Sequence, residues 1–170
     1  MDSSSMTRSA LGAGLPSPHE VAQFIQSANQ MMSPDHRVLR IQLPTQPRNI
    51  LDWLRETNVY PKVYWQDRER AFEVAGVGAA HSVSTFPDAP PLFTRLREAL
   101  SSHHPELRYY GGCSFAATCA PEWVSFGECS FVIPQFEILN KGNDSFFACN
   151  WSRNQTESEI ETAYESMLNA

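Results

Sequence analysis

Cys113 follows a glycine pair in the stretch "RYYGGCSF", and His81 and His103 are imidazoles that could serve it as a base. A thiol becomes a nucleophile when its surroundings stabilise the thiolate. Nothing local in the sequence supplies such surroundings, so the favoured reading is a cysteine buried in a strand. His103-His104 offers two metal-binding rings side by side. Adjacent side chains diverge on a helix, and no third ligand follows at motif spacing. Cys113, Cys119, Cys129 and Cys149 are separated by five, nine and nineteen residues, which matches no paired C-x2-C zinc spacing. Buried free thiols are therefore expected.

Glu157, Glu161 and Glu165 recur four apart near the end of the chain. That spacing can hold a hard cation, but it is also what a solvated helix face looks like, and the second reading is preferred. Gly76-Val77-Gly78 and Gly111-Gly112 match neither G-x-G-x-x-G opening a helix nor a P-loop. Close approach of backbones inside a sheet is the better account of them. Serine, histidine and aspartate are all present, yet no G-x-S-x-G elbow marks a nucleophile. These motifs assign no catalytic, cofactor-binding or metal-binding residue.

A chain of 170 residues with 42% hydrophobic residues can bury one core. Its 13 basic and 19 acidic residues give a net charge of −6 without a Lys/Arg cluster, so no nucleic-acid partner is expected. No window has the roughly 18 uninterrupted apolar residues that span a bilayer, and no basic start with an apolar core marks a secretory signal. The expectation is a cytoplasmic protein without a membrane partner. The glycosylation sequons at Asn143, Asn150 and Asn154 are read as chance.

Residues 1–16 are small, polar and aperiodic, which predicts a flexible tail. Ser17-Pro18-His19-Glu20 reads as a capping box, followed by Val21, Phe24, Ile25, Ala28 and Met32 on one helical face up to Pro34. "RVLRIQLPT" alternates like a half-buried strand, with Leu39, Ile41 and Leu43 opposite Arg40 and Gln42. "NILDWLRETN" is a short helix. "KVYWQ" and "AFEVAGVGA" are strands joined by the turn at 67–70. "PPLFTRLREALSSHH" is a helix, and "ELRYYGGCSFAA", "CSFVIPQFEIL" and "SFFACNWSR" are strands, the last two joined by "NKGND". A second capping box, Thr156 to Glu159, opens a terminal helix carrying Ile160, Ala163, Tyr164, Met167 and Leu168. Strands and helices mix without a regular alternation, which predicts an antiparallel α+β arrangement.

The order of four stretches then becomes informative. Tyr60-Pro61 with Tyr64-Trp65, Glu73 to Gly78, Arg108 to Phe115 and Phe131 to Glu137 follow one another as "YP-x-x-YW", "E-x-A-x-x-G", "R-x-[aromatic]-G-G-x-x-F" and "F-x-x-P-x-x-E". This order resembles the amino-terminal part of isochorismate synthases of menaquinone and siderophore pathways. Gln135 stands where that family has arginine, and Ala116-Ala117 replaces its Asp-Pro. The resemblance implies an α+β, antiparallel amino-terminal part of a chorismate-utilising enzyme over 17–170. Tyr60 to Val83 would be a scaffold hairpin, with Trp65, Phe72, Val74 and Val77 in core or inter-half contacts.

In the complete enzymes a later region supplies a lysine base for water, a glutamate acid for the departing hydroxyl, and glutamates that hold Mg2+ beside chorismate. None of those motifs occurs in this chain, so no catalytic residue is carried over. Chorismate and Mg2+ are implied for the complete enzyme only. The catalytic carboxy-terminal half is the implied partner, in the same chain or another. A salicylate, anthranilate or aminodeoxychorismate synthase, and a non-catalytic interaction module needing a separate catalytic chain, stay open as alternatives.

Overall fold

Local signals start the helices. In the computed structural model, which describes residues 14–30, 37–85, 91–100, 104–114 and 127–169, Ser17 and Glu20 close the expected capping box. The Ser17 N–H donates to Glu20 Oε2 at 2.6 Å, and the Glu20 N–H donates to Ser17 Oγ at 3.3 Å. Helix α1 (Pro18–Gln30) follows and buries Val21 and Ile25. Phe24, expected on the same face, is instead 43% exposed. The expected end at Met32 to Pro34 lies outside the described residues. Asn49 caps α2 (Ile50–Glu56) by accepting from the N–H groups of Leu51 and Asp52. The Thr156–Glu159 box opens α4 (Glu157–Leu168), while α3 (Leu92–Ala99) starts without a side-chain cap.

Among the described residues, eight strands form two antiparallel sheets. The larger has the order β1 (Val38–Thr45), β8 (Asp144–Ser152), β7 (Phe136–Lys141), β3 (Phe72–Val77), β2 (Lys62–Gln66). The smaller has the order β4 (His81–Thr85), β6 (Cys129–Ile133), β5 (Tyr110–Cys113). The hairpins β2–β3 and β7–β8 stand where alternation and turn residues predict them.

The run "CSFVIPQFEIL", expected as one strand, is divided between the sheets, and the expected hairpin Tyr60 to Val83 runs on into the smaller sheet as β4, a strand that was not expected. The chain leaves the larger sheet after Val77, turns at Gly78 with φ of +69°, and enters the smaller one at His81. It returns at Pro134-Gln135, between β6 and β7, where proline removes a ladder donor. The two crossings lie side by side: the Ala80 N–H donates to Ile133 O at 2.9 Å and the Gln135 N–H to Val77 O at 3.1 Å. Gly76 is required at this corner, because a Cβ there would stand 2.6 Å from the Pro134 ring and 2.9 Å from Val63 Cγ2.

Helices α1, α2 and α4 cover one face of the larger sheet. Ile25, Trp53, Phe136, Phe147, Trp151 and Tyr164 fill that interface. The Tyr164 ring lies 5.3 Å from Phe136 and 5.4 Å from Phe147. Each such large side chain, when fully buried, contributes about 1.5–3 kcal/mol of transfer free energy. The Tyr164 hydroxyl donates to Pro16 O at 2.7 Å, and Leu15 is buried beside it. Packing therefore begins at the end of the segment read as a tail; residues 1–13 lie outside the described ones. The opposite face of the sheet is also covered, so Arg40, read as solvent-facing, is buried.

Candidate functional site

Two features could bear function, a buried polar cluster and an open cleft. Alternation on β1, β7 and β8 sets Arg40, Glu137 and Asn150 on the face turned away from the helices. Arg40 and Asn150 are direct partners in the β1–β8 register, and Glu137 pairs with Ala148, two residues from Asn150. Arg40 Nη1 donates to Glu137 Oε2 and to Asn150 Oδ1, each at 2.9 Å. Asn150 Nδ2 donates to Pro134 O at 2.7 Å and to Glu137 Oε1 at 3.1 Å. The Glu137 side chain is 1% exposed. Burial pushes its carboxyl above the ordinary carboxylate range, against the pull of the Arg40 guanidinium and the Asn150 amide.

This cluster joins three strands and the crossing at Pro134. Both oxygens of Glu137 already accept hydrogen bonds, so they are not presented to a ligand. Arg40 Nε and Gln135 Nε2 are buried donors without a partner among the described residues. Asn150, the centre of one sequon, is fully buried and engaged by these bonds.

The cleft lies between the β2–β3 edge of the larger sheet and strand β5 of the smaller one, with a volume of about 890 Å³. Lys62, Trp65, Phe72, Arg108, Tyr110 and Gly111 are among its walls. The Arg108 guanidinium stands 4.6 Å from the centre of the Phe72 ring, and Trp65 packs on the same ring at 5.6 Å. Burial raises the Tyr110 phenol well above its usual value and pushes Tyr109 up to about 12. Tyr64 is raised through its 2.8 Å hydrogen bond to Glu73. The Tyr64 hydroxyl is engaged by Glu73 and that of Tyr109 by His81, so the cleft offers aromatic faces and the cations Lys62 and Arg108. Such a lining suits binding. Next to it, Lys141 Nζ donates to Glu106 Oε2 at 2.9 Å and holds that carboxyl below the ordinary range, tying the approach to β5 onto β7.

The structure disperses the residues singled out by sequence. Cys113 and Cys129 are bonded as a disulfide across β5 and β6, which corrects the expectation of free thiols at these positions. Their Cα atoms are 4.0 Å apart because the antiparallel register sets them face to face, a relation that sequence spacing does not reveal. Cys149 is a buried free thiol raised far above its ordinary value by burial.

His81 is no base for Cys113. It lies opposite Ile133, at the other end of the smaller sheet, with its Nδ1 2.7 Å from the Tyr109 hydroxyl. Burial and then the Arg37 and Arg95 charges lower its value. His103 and Cys119 fall outside the described residues. Glu157 and Glu165 are exposed on α4 and Glu161 is half-buried. A Cβ on Gly111 would fall on Ser130 O and Phe131 Cα, the backbone approach expected there, whereas one on Gly112 would meet nothing within 4 Å.

Mg2+, implied for the complete family, is not fitted by the described residues. No three His, Cys, Asp or Glu side chains among them converge, and the one fully buried carboxylate, Glu137, is taken by Arg40 and Asn150. The Arg40–Glu137–Asn150 cluster escapes sequence reasoning because its members are 97 and 110 residues apart from Arg40. One signal could have found it: Glu137 is a lone charge inside the apolar run "FVIPQFEIL".

Comparison with known proteins agrees with the motif order. Isochorismate synthase 2, chloroplastic, of Arabidopsis thaliana is 29% identical over 164 residues, covering 77% of this chain and 29% of the plant protein. The solved structure of MenF, the menaquinone-specific isochorismate synthase from Escherichia coli, shares the fold with a TM-score of 0.58 at 16% identity. That match covers 90% of this chain and 34% of the bacterial one. The chain thus spans about a third of the length of these relatives. The family described as chorismate binding enzyme matches residues 23–170, from within α1 to the end of α4, and the chain belongs to that family.

Proposed function

We propose that this chain is the amino-terminal scaffold portion of an isochorismate synthase, which isomerises chorismate to isochorismate, and that the reacting groups are supplied by a carboxy-terminal region in the same or another chain. The observation that carries the reading is the fate of the fourth motif. Its proline makes the crossing between sheets and its glutamate is locked to Arg40 and Asn150. The motif acts as architecture. The isomerisation needs a base for the incoming water and an acid for the departing hydroxyl. Glu137 is enclosed and can be neither.

The other motifs also form framework elements, and the first and third in addition line the cleft. Tyr60-Pro61 leads into β2, Glu73 to Gly78 form β3 and its exit, and Arg108 to Cys113 form β5 and its approach. On this reading chorismate and Mg2+ belong to the assembled enzyme, the product enters menaquinone or siderophore formation, and the protein works in the cytoplasm. No helix among the described residues is long and apolar enough to cross a membrane.

The test is an assay of the 170-residue chain with chorismate and Mg2+, with chromatographic detection of isochorismate. No product is expected from the chain alone, and turnover is expected once it is fused to the carboxy-terminal region of the plant relative. Turnover by the chain alone would refute the scaffold role. A fusion yielding salicylate, anthranilate or aminodeoxychorismate instead would move the protein to another branch of the family.

A further inference from the structure

Cys113 is the last residue of β5 and Cys129 the first of β6. Their bond closes the open end of a short ladder. β5 has four residues and, among the described residues, lies at the edge of its sheet and pairs with β6 alone. Beyond the bond, the Ser114 N–H donates to Glu128 O at 2.7 Å. Cys113 is exposed and Cys129 half-buried, so a reagent in solution can reach the bond. Cys149 is sealed in the core and has no such access. The disulfide also sits on a strand with a second task, since Tyr110 and Gly111 of β5 form part of the cleft wall.

We propose that Cys113–Cys129 is a redox-sensitive staple: a dithiol reductant opens it, and opening loosens β5 and with it one wall of the cleft. The exchange proceeds in two displacements. A thiolate of the reductant attacks Sγ of Cys113, the more exposed residue of the pair, forming a mixed disulfide as the bond to Cys129 breaks and Cys129 leaves as a thiolate. The reductant's second thiol, as its thiolate, attacks the reductant sulfur of the mixed disulfide, closes the reductant's own disulfide and releases Cys113. Two electrons pass to the protein, and the two protons of the dithiol end on Cys113 and Cys129.

In the oxidised form the bond links residues 16 apart in sequence and limits how far the end of β5 can separate from β6. In the reduced form the start of the strand keeps its anchors, Tyr110 packed against Val74 and Leu139 and Glu106 bound to Lys141, but the end of β5 is held to β6 by backbone hydrogen bonds, and strand ends of this kind open at low cost. The device suits a reducing compartment, where an accessible disulfide exchanges and a fully protected one would have no regulatory use. It stands whether or not the synthase reading does.

The test takes the whole chain purified without reductant, treats half of it with dithiothreitol, and reads both samples by iodoacetamide labelling with peptide mass mapping and by hydrogen exchange. Before reduction neither Cys113 nor Cys129 is expected to be labelled; afterwards both are, with Cys149 unlabelled in the folded protein. The amides of Gly112 and Ser114, which face β6, are expected to exchange about tenfold faster or more after reduction, while those of α4 are unchanged. A Cys113→Ser/Cys129→Ser variant should show the fast rates without reductant and no response to it. Labelling of both cysteines in the unreduced protein overturns the proposal, as do β5 exchange rates that are the same in both samples.

Discussion

At the scale of single residues, the most consequential contact is Arg40 with Glu137. A buried ion pair adds little net stability relative to apolar residues of the same shape, but removing one partner leaves an uncompensated buried charge. Arg40→Met is therefore expected to cost about 3–5 kcal/mol in denaturant unfolding. Arg40→Met/Glu137→Leu should recover most of that loss, and a double variant as unstable as the single one would contradict this account. The pH dependence follows from the direction of the Glu137 shift. Burial raises its folded value above the unfolded one; without the opposing Arg40 the raise is larger. A raised carboxyl contributes stability below its unfolded value, and that contribution is lost as pH rises through the folded value. Unfolding of Arg40→Met should thus show a smaller penalty at pH 5 than at pH 8, measured against the parent at each pH. The glycines provide a second residue-scale test. Gly76→Ala drives a methyl into Pro134 and Val63, and overpacking of this kind costs about 1–3 kcal/mol. Gly112→Ala meets open space and should leave the thermal midpoint nearly unchanged, so equal shifts for the two would remove the steric explanation.

Secondary elements are held by local chemistry where the chain declares it and by distant partners where it does not. The box at the start of α4 is of the first kind: the Thr156 N–H and hydroxyl both donate to Glu159 Oε2, at 2.6 and 2.9 Å, and hold that carboxyl below its ordinary value. A lowered carboxyl contributes above its unfolded value, and the contribution fades as pH falls through the folded one. Thr156→Ala should return the Glu159 titration, followed by carboxyl carbon shifts in NMR, toward the ordinary value; an unchanged titration would mean the hydroxyl plays no part. Both capping boxes, the hairpins β2–β3 and β7–β8, and the antiparallel mixture of helices and strands were legible because each is written within a few neighbouring residues. The crossings at Gly78 and Pro134 were not, since apolar alternation continues through a strand whichever sheet it has joined. Phe24 shows a related limit: helical spacing marks a face but not how wide a stripe the sheet will cover. The Cys113–Cys129 bond depends on the β5–β6 register, and the Arg40 cluster on three strands meeting. Neither has a signature in spacing along the chain.

For the whole molecule, the unequal treatment of its surfaces gives the sharpest test of the proposed role. Helices seal one face of the larger sheet, and the smaller sheet and its approaches cover part of the other. The β2 edge is left with Tyr60 73% exposed, Trp65 48% and Tyr64 40%. A strand edge carrying large aromatics is a hazard in a free-standing protein and an asset where another polypeptide packs against it. Because the matched relatives are about three times as long as this chain, the occupant expected here is the carboxy-terminal region of the proposed synthase. Trp65 is the side chain to remove: it packs on Phe72 from the cleft side and is half in solvent already, so Trp65→Lys should leave the isolated chain folded, as judged by its circular dichroism and thermal midpoint. Aromatic anchors at the centre of an interface are worth about 2 kcal/mol or more when truncated. Association of the chain with a separately produced carboxy-terminal region, measured by calorimetry, should therefore weaken by about thirtyfold in the Trp65→Lys variant, and turnover by the reconstituted pair should fall at limiting concentrations of either chain but recover when both are in excess. Binding as tight as that of the parent would show that the catalytic region packs elsewhere and that the aromatic edge serves another partner. A loss of turnover that excess protein cannot restore would instead give Trp65 a part in the chemistry, contrary to the scaffold role.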